Sequence, residues 1–194
     1  MTKSRLEAFS DGVLAIIITI MVLELKAPPE PSFDALRPML PLFISYALSF
    51  TFIGIYWANH HHMFQLVKKV NGRILWLNLH LLFWLSLVPF GTAWMAQSRF
   101  ATVPVFIYGV FLLCAGLAYN MLSHALSRLH GAESTLAKAV GTDIKGRISA
   151  GLYGLALFLV WINQWLAYGV YVAVALMWLV PDRRIENLVE EIED

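Results

Sequence analysis

Long apolar runs separated by short polar stretches dominate the pattern of this chain. Six of them approach the roughly 20 residues that a helix needs to cross a bilayer. The runs cover about 6–25, 38–61, 74–95, 104–126, 148–165 and 167–181. The first has an apolar core only from Val13 to Leu23, and reaches spanning length by including Phe9, Ser10 and Asp11. A carboxylate at that depth is costly unless it faces protein or water, so the first span is expected inside an assembly. Pro28, Pro29 and Pro31 end it. The last two runs form one apolar stretch too long for a single crossing, and the polar pair Asn163-Gln164 is where it divides. Residues 182–194 then form a short tail with an acidic end. The expected architecture is an all-α integral membrane protein, one transmembrane domain over 1–194.

Composition agrees. The 194 residues are 59% hydrophobic and 14% charged, against about 45–50% and about 25% in soluble domains. The excess apolar surface needs lipid. A net charge of +1 gives no field for nucleic acid. The lone Cys114 excludes an intrachain disulfide. No cleavable leader is expected, because Asp11 interrupts the first apolar run and no small-residue cleavage site follows it.

Basic residues fix an orientation. Lys3 and Arg5 precede the first run; Lys68, Lys69 and Arg73 lie between the second and third; Arg128, Lys138, Lys145 and Arg147 between the fourth and fifth; Arg183 and Arg184 after the sixth. The alternate connections hold only Lys26, Arg37 and Arg99. Lys and Arg collect on the cytoplasmic side, which places both termini inside a cell membrane crossed six times. Trp94, Trp165 and Trp178 near span ends fit an aromatic belt.

Helical spacing places Ile16, Thr19, Ile20 and Leu23 on one face of the first span, at i, i+3, i+4 and i+7. Such a stripe either packs against other helices or, repeated around an axis, forms apolar rings with one hydroxyl ring from Thr19. A membrane-helix hydroxyl also commonly bonds back to a carbonyl one turn earlier. Glu24 stands near the outer end of that face. Arg5, Ser10 and Asp11 gather at the cytoplasmic end, either as interfacial charges or as a network. His60, His61 and His62 suggest a metal, but consecutive helical residues point about 100° apart, and no nearby Cys or Glu completes a ligand set. No metal or cofactor is expected. His80 and His124 are open to pairing across helices or to capping.

The run Arg5-x-x-x-Phe9-Ser10-Asp11, opening the first of six spans, resembles the signature of the transmembrane protein 175 family of potassium-permeable channels, in its prokaryotic single-unit branch. The likeness continues through 19–25, through Tyr56-Trp57-Ala58-Asn59-His60-His61, and through Gly72-Arg73-Ile74-Leu75-Trp76-Leu77-Asn78. Beyond the first half it rests on hydropathy and length. The resemblance implies a homotetramer whose four first helices line a potassium pore. There is no TVGYG filter. The narrowest ring falls on Ile16, with further rings at Ile20 and Leu23, and Thr19 takes a hydroxyl position linked to potassium preference. It also implies a polar network that locks the first span through Ser10 and Asp11 to some of Trp57, His60, His61 and Asn78. The partners so implied are further copies of the chain, monovalent cations and lipid. A secondary transporter or proton-coupled permease is the alternative, though no inverted repeat is visible. No hydrolase triad spacing, HExxH, P-loop or Gly-rich dinucleotide loop points to an enzyme.

Overall fold

The computed structural model describes residues 2–131, 133–141 and 143–179; the expected end of the sixth span and the tail, with Arg183 and Arg184, lie outside these. Among the described residues the regular structure is all helical, without strands. Eight α-helices follow one another: α1 (Lys3–Leu23), α2 (Leu40–Gln65), α3 (Gly72–Ser86), α4 (Val88–Gln97), α5 (Thr102–His130), α6 (Thr135–Val140), α7 (Ile144–Leu159) and α8 (Gln164–Leu179). A 3-10 turn, Asp34–Met39, leads into α2.

Four segments are long and apolar enough to cross a membrane by themselves: α1, the 3-10 turn with α2, α3 with α4, and α5. α8 is apolar but shorter, at 16 residues.

The element boundaries depart from the sequence pattern in three places, each with a local cause. The third apolar run is two helices, because Pro89 lacks an N–H and cannot continue the ladder of α3. The backbone instead tightens, with Leu87 N–H donating to the Trp84 carbonyl at 3.3 Å. The fifth run ends at Leu159, six residues before the expected 165, and the chain turns through Val160 to Asn163 before α8. Asn163 then accepts from the Trp165 N–H at 2.8 Å, holding the first turn of α8. Between α5 and α7 the polar connection forms the extra short helix α6, started by the Ser134 side chain accepting from the Ala137 N–H at 3.1 Å.

Contacts sort the helix ends into two levels. At one level the start of α1, the end of α2 and the start of α3 meet through Ser10, His60 and Asn78. The end of α5 joins them, since His130 Nε2 accepts from the backbone N–H groups of Lys68 and Lys69 at 3.0 and 3.3 Å. At the other level the α4–α5 turn meets the α7–α8 turn. There Phe100 sits buried against Trp165 and Tyr168, each ring centroid 5.0 Å away. Arg99 and Phe100 both take positive φ, 50° and 61°. This strained reversal is held by Phe100 N–H donating to the Met95 carbonyl at 2.8 Å. Counting α3–α4 as one, six helical segments among the described residues run between the two levels.

α5 is the centre of the bundle, packed by α3, α4, α7 and α8, while α1 lies against α2, α3 and α4. Tyr108 and Tyr171 are the largest wholly buried side chains. Ser45 is buried with its hydroxyl unpartnered among the described residues, whereas three other buried hydroxyls form a chain. Tyr108 donates to Ser49 at 2.9 Å, Ser49 to Thr92 at 2.6 Å, and Thr92 to the Val88 carbonyl at 2.7 Å, each hydroxyl spending its single proton once. This links α2, α4 and α5 directly behind Met21 of α1.

Tyr108→Phe removes the first donor of that chain. It should lower the thermal stability of the detergent-purified protein by about 1 kcal/mol, a usual value for an interhelical hydrogen bond in membrane proteins. Leaving the melting temperature unchanged would show that the chain adds nothing.

Candidate functional site: the exposed face of the first helix

α1 divides lengthwise. Leu6, Ser10, Leu14, Ile17 and Met21 are buried against the rest of the subunit. Ile16, Thr19, Ile20 and Leu23 point out of it; Ile16 is 58%, Ile20 45% and Leu23 74% exposed. The structure therefore brings all four expected face residues together on the side that the subunit leaves uncovered. Asp11 and Glu24 are exposed too. Thr19 donates its hydroxyl proton to the Ile16 carbonyl at 2.9 Å. The back-bond leaves the oxygen lone pairs of Thr19 as acceptors on the exposed side.

The rotation of α1 is set by polar contacts near its start. His60 of α2 donates through Nε2 to Asn78 Oδ1 of α3 at 2.8 Å. Asn78 Nδ2 donates to Ser10 Oγ at 2.9 Å, and Ser10 donates to the Leu6 carbonyl at 2.9 Å. All three side chains are buried. The direction is forced: Asn78 spends its amide protons toward Ser10, and its oxygen can only accept, so His60 Nε2 carries the proton. His60 also stacks on Phe64, centroids 4.4 Å apart. One residue on, Trp57 Nε1 donates to Asp11 Oδ1 at 3.1 Å.

The remaining expected members stand outside this network. His61 is exposed and stacks on Trp57, ring centroids 6.1 Å apart. Phe9 is half exposed. Arg5 is exposed and makes no hydrogen bond or ion pair within the subunit among the described residues. His80 and His124 do not pair with each other: His80 accepts from Trp84 at 2.9 Å, and His124 Nδ1 contacts the Asn120 carbonyl at 2.9 Å, each on its own helix. His60, His61 and His62 all lie within α2, and no group of three or more metal-ligating side chains occurs among the described residues. Sequence reasoning missed the His130 clamp on the α2–α3 connection. Its only signal was a histidine at the end of a span beside a loop of free backbone donors.

The family model "Endosomal/lysosomal potassium channel TMEM175" matches residues 5–89. A potassium channel of Chryseobacterium sp. strain P1-3 is 53% identical over 191 residues, covering 98% of this chain and all of that protein. The chain belongs to the TMEM175 family. A potassium channel of Chamaesiphon minutus is 33% identical over 184 residues, covering 89% of this chain and 91% of its own length. A crystal structure titled as a lysosomal potassium-selective channel TMEM175 homolog, from the same organism, superimposes with a TM-score of 0.78 at 32% identity. It covers 92% of this chain and 96% of that one. TMEM175 proteins are ion channels, so the chain is a multi-pass membrane channel protein and not an enzyme.

Asn78→Leu strands the His60 donor and removes the bond that Ser10 accepts, at about 1–3 kcal/mol for a buried group left unpaired. His61→Ala, outside the buried chain, should cost under about 0.5 kcal/mol. Thermal unfolding of the two purified variants checks this, and equal losses would contradict the placement of the network.

Proposed function

We propose that four copies of this chain form a potassium-permeable channel. Their α1 helices surround a central axis, and Ile16, Thr19, Ile20 and Leu23 face the permeating ion. The observation that carries this reading is the composition of the uncovered α1 face. It holds apolar side chains but also the exposed Thr19, and Asp11 stands exposed at its margin, about 140° around the helix from Ile16 and bonded to Trp57. A carboxylate facing lipid within a span is costly, reaching about 2.5–3.5 kcal/mol or more at the span's centre. This face is therefore better suited to water and to other copies than to acyl chains. Ala8, Gly12 and Ala15 are exposed on the same helix. No atom comes within 4 Å of a side chain built at Gly12, so a neighbouring helix has room to approach closely.

The filter is apolar. A ring of four Ile16 side chains offers no oxygen to replace the hydration water that a passing ion loses. Sodium holds its water more tightly than potassium, so the same ring hinders sodium more. A ring of Thr19 oxygens, less than a turn beyond, returns part of that lost coordination. The outcome is a modest preference for potassium, and a pore able to close by dewetting. Six crossings per subunit, with α1 entering from the cytoplasm, agree with the described basic residues: Lys3, Arg5, Lys68, Lys69, Arg73, Arg128, Lys145 and Arg147 lie toward one level, and Lys26, Arg37 and Arg99 toward the other. The cell membrane is the corresponding location. No resident cofactor enters this scheme; potassium is the cargo. A transporter or proton-coupled permease is disfavoured, because relatives that match nearly end to end are potassium channels.

Ile16→Asn places an amide where the narrowest ring stands. In planar bilayers it should raise single-channel conductance several-fold and move the reversal potential under a potassium/sodium gradient toward the non-selective value. Conductance and selectivity equal to the parent would count against a constriction at Ile16.

A further inference from the structure

Away from α1, where α7 begins, the subunit contains a cavity bounded by α2, α5, α7 and α8. About 50 Å³ of it is open to the centres of water-sized molecules. One water needs roughly 10–15 Å³ on that measure, so the space holds a molecule of a few heavy atoms. No residue of α1 lines it. The cavity is distinct from the channel face.

Its walls are aromatic: Phe52, Tyr56, Tyr119, Tyr153 and Trp178. Tyr56 and Tyr119 meet edge to face at 6.1 Å, and Phe52 and Tyr153 lie 6.5 Å apart. Among the described residues one charged side chain lines the space, Asp143. Its carboxylate accepts from two neutral donors, the Gly146 N–H at 2.8 Å and Asn120 Nδ2 at 3.1 Å, neither of which cancels its charge. Lys145 is not a lining residue; its Nζ stands 5.9 Å from the centroid of the Trp178 ring.

Unused acceptors face the same space. Tyr153 is 4% exposed, yet its hydroxyl has no hydrogen-bond partner among the described residues, and neither does that of Tyr56. Asn59 also lines the cavity and donates its amide to its own helix, to the Ile55 carbonyl at 2.8 Å. Its side-chain oxygen stays available. A negative charge, several oxygen acceptors and the faces of five rings match one chemistry. An anion would be repelled by Asp143, and an uncharged apolar molecule would leave the Tyr56 and Tyr153 hydroxyls unpaired.

We propose that this cavity binds a small primary ammonium ion, its N–H groups donating to the Asp143 carboxylate and the tyrosine oxygens and its alkyl carbons lying against the rings. The occupied site ties α2 and α5 to α7 and α8.

The test is calorimetric titration of the full-length purified protein with ethylammonium chloride at fixed ionic strength, with ethanol as the uncharged match in size. Saturable binding of ethylammonium and none of ethanol is expected. Asp143→Asn keeps an oxygen to start α7 but removes the charge, and should weaken binding by about tenfold or more, the factor for a lost charge-assisted hydrogen bond. Gly116→Val should abolish binding, because a Cβ there already stands 3.7 Å from the Tyr56 hydroxyl and the branches fill the space. Ile16→Asn should bind as the parent does, which separates this site from any ammonium held in the pore. Absence of saturable heat, or equal affinity in Asp143→Asn, would overturn the proposal.

Discussion

A buried hydrogen-bond chain sets the rotation of one helix about its own axis, and in the proposed channel that rotation decides which face meets the ions. Inside a bilayer, lipid tails are as apolar as leucine, so no hydrophobic force selects which side of α1 packs inward. Polar groups select it, because an unpaired amide or hydroxyl in that medium is costly. His60, Asn78 and Ser10 form such a chain across α2, α3 and α1. Trp57 adds a contact to Asp11. With Ser10 turned inward, Leu14, Ile17 and Met21 follow it into the subunit. Ile16, Thr19, Ile20 and Leu23 are left outside by helical geometry alone.

The rest of the fold supplies a rigid backing. α5 runs the length of the bundle between α3–α4 and α7–α8, so α1 leans on helices that are themselves braced from behind. The hydroxyl chain of Tyr108, Ser49 and Thr92 sits directly behind Met21, near the far end of α1. The His60–Asn78–Ser10 chain sits near the start. The helix is thus anchored at both ends on one side and bare on the other. A pore-lining helix needs that combination.

Much of this was legible in the sequence, for reasons that differ by element. The apolar runs announced the long helices, because a bilayer demands length and admits few charges. The α1 face was legible as a stripe, but spacing alone favoured packing over a pore, since both sides of the helix are apolar. The motif at Arg5 to Asp11 tipped that choice. Ser10 and Asn78 take the partnership the resemblance implied, whereas Arg5 and His61 remain outside it within the subunit. The break at Pro89 was hidden because hydropathy runs through it unchanged. The early end of α7 was hidden because Val160 to Ile162 are as apolar as the helix before them. The cavity at Asp143 could not be read at all. Its walls come from positions as distant as Phe52 and Trp178, and nothing in their spacing brings them together.

The most direct measurement is a cysteine scan of α1 with cadmium block, recorded from single channels after Cys114, the chain's sole cysteine, is replaced by serine. Cysteines at 16, 20 and 23 should give channels that cadmium closes, since neighbouring thiolates around an axis form a metal site. Cysteines at 14, 17 and 21 should leave the current untouched. Block at the second set, or block with no helical period, would show that a different face of α1 meets the ions.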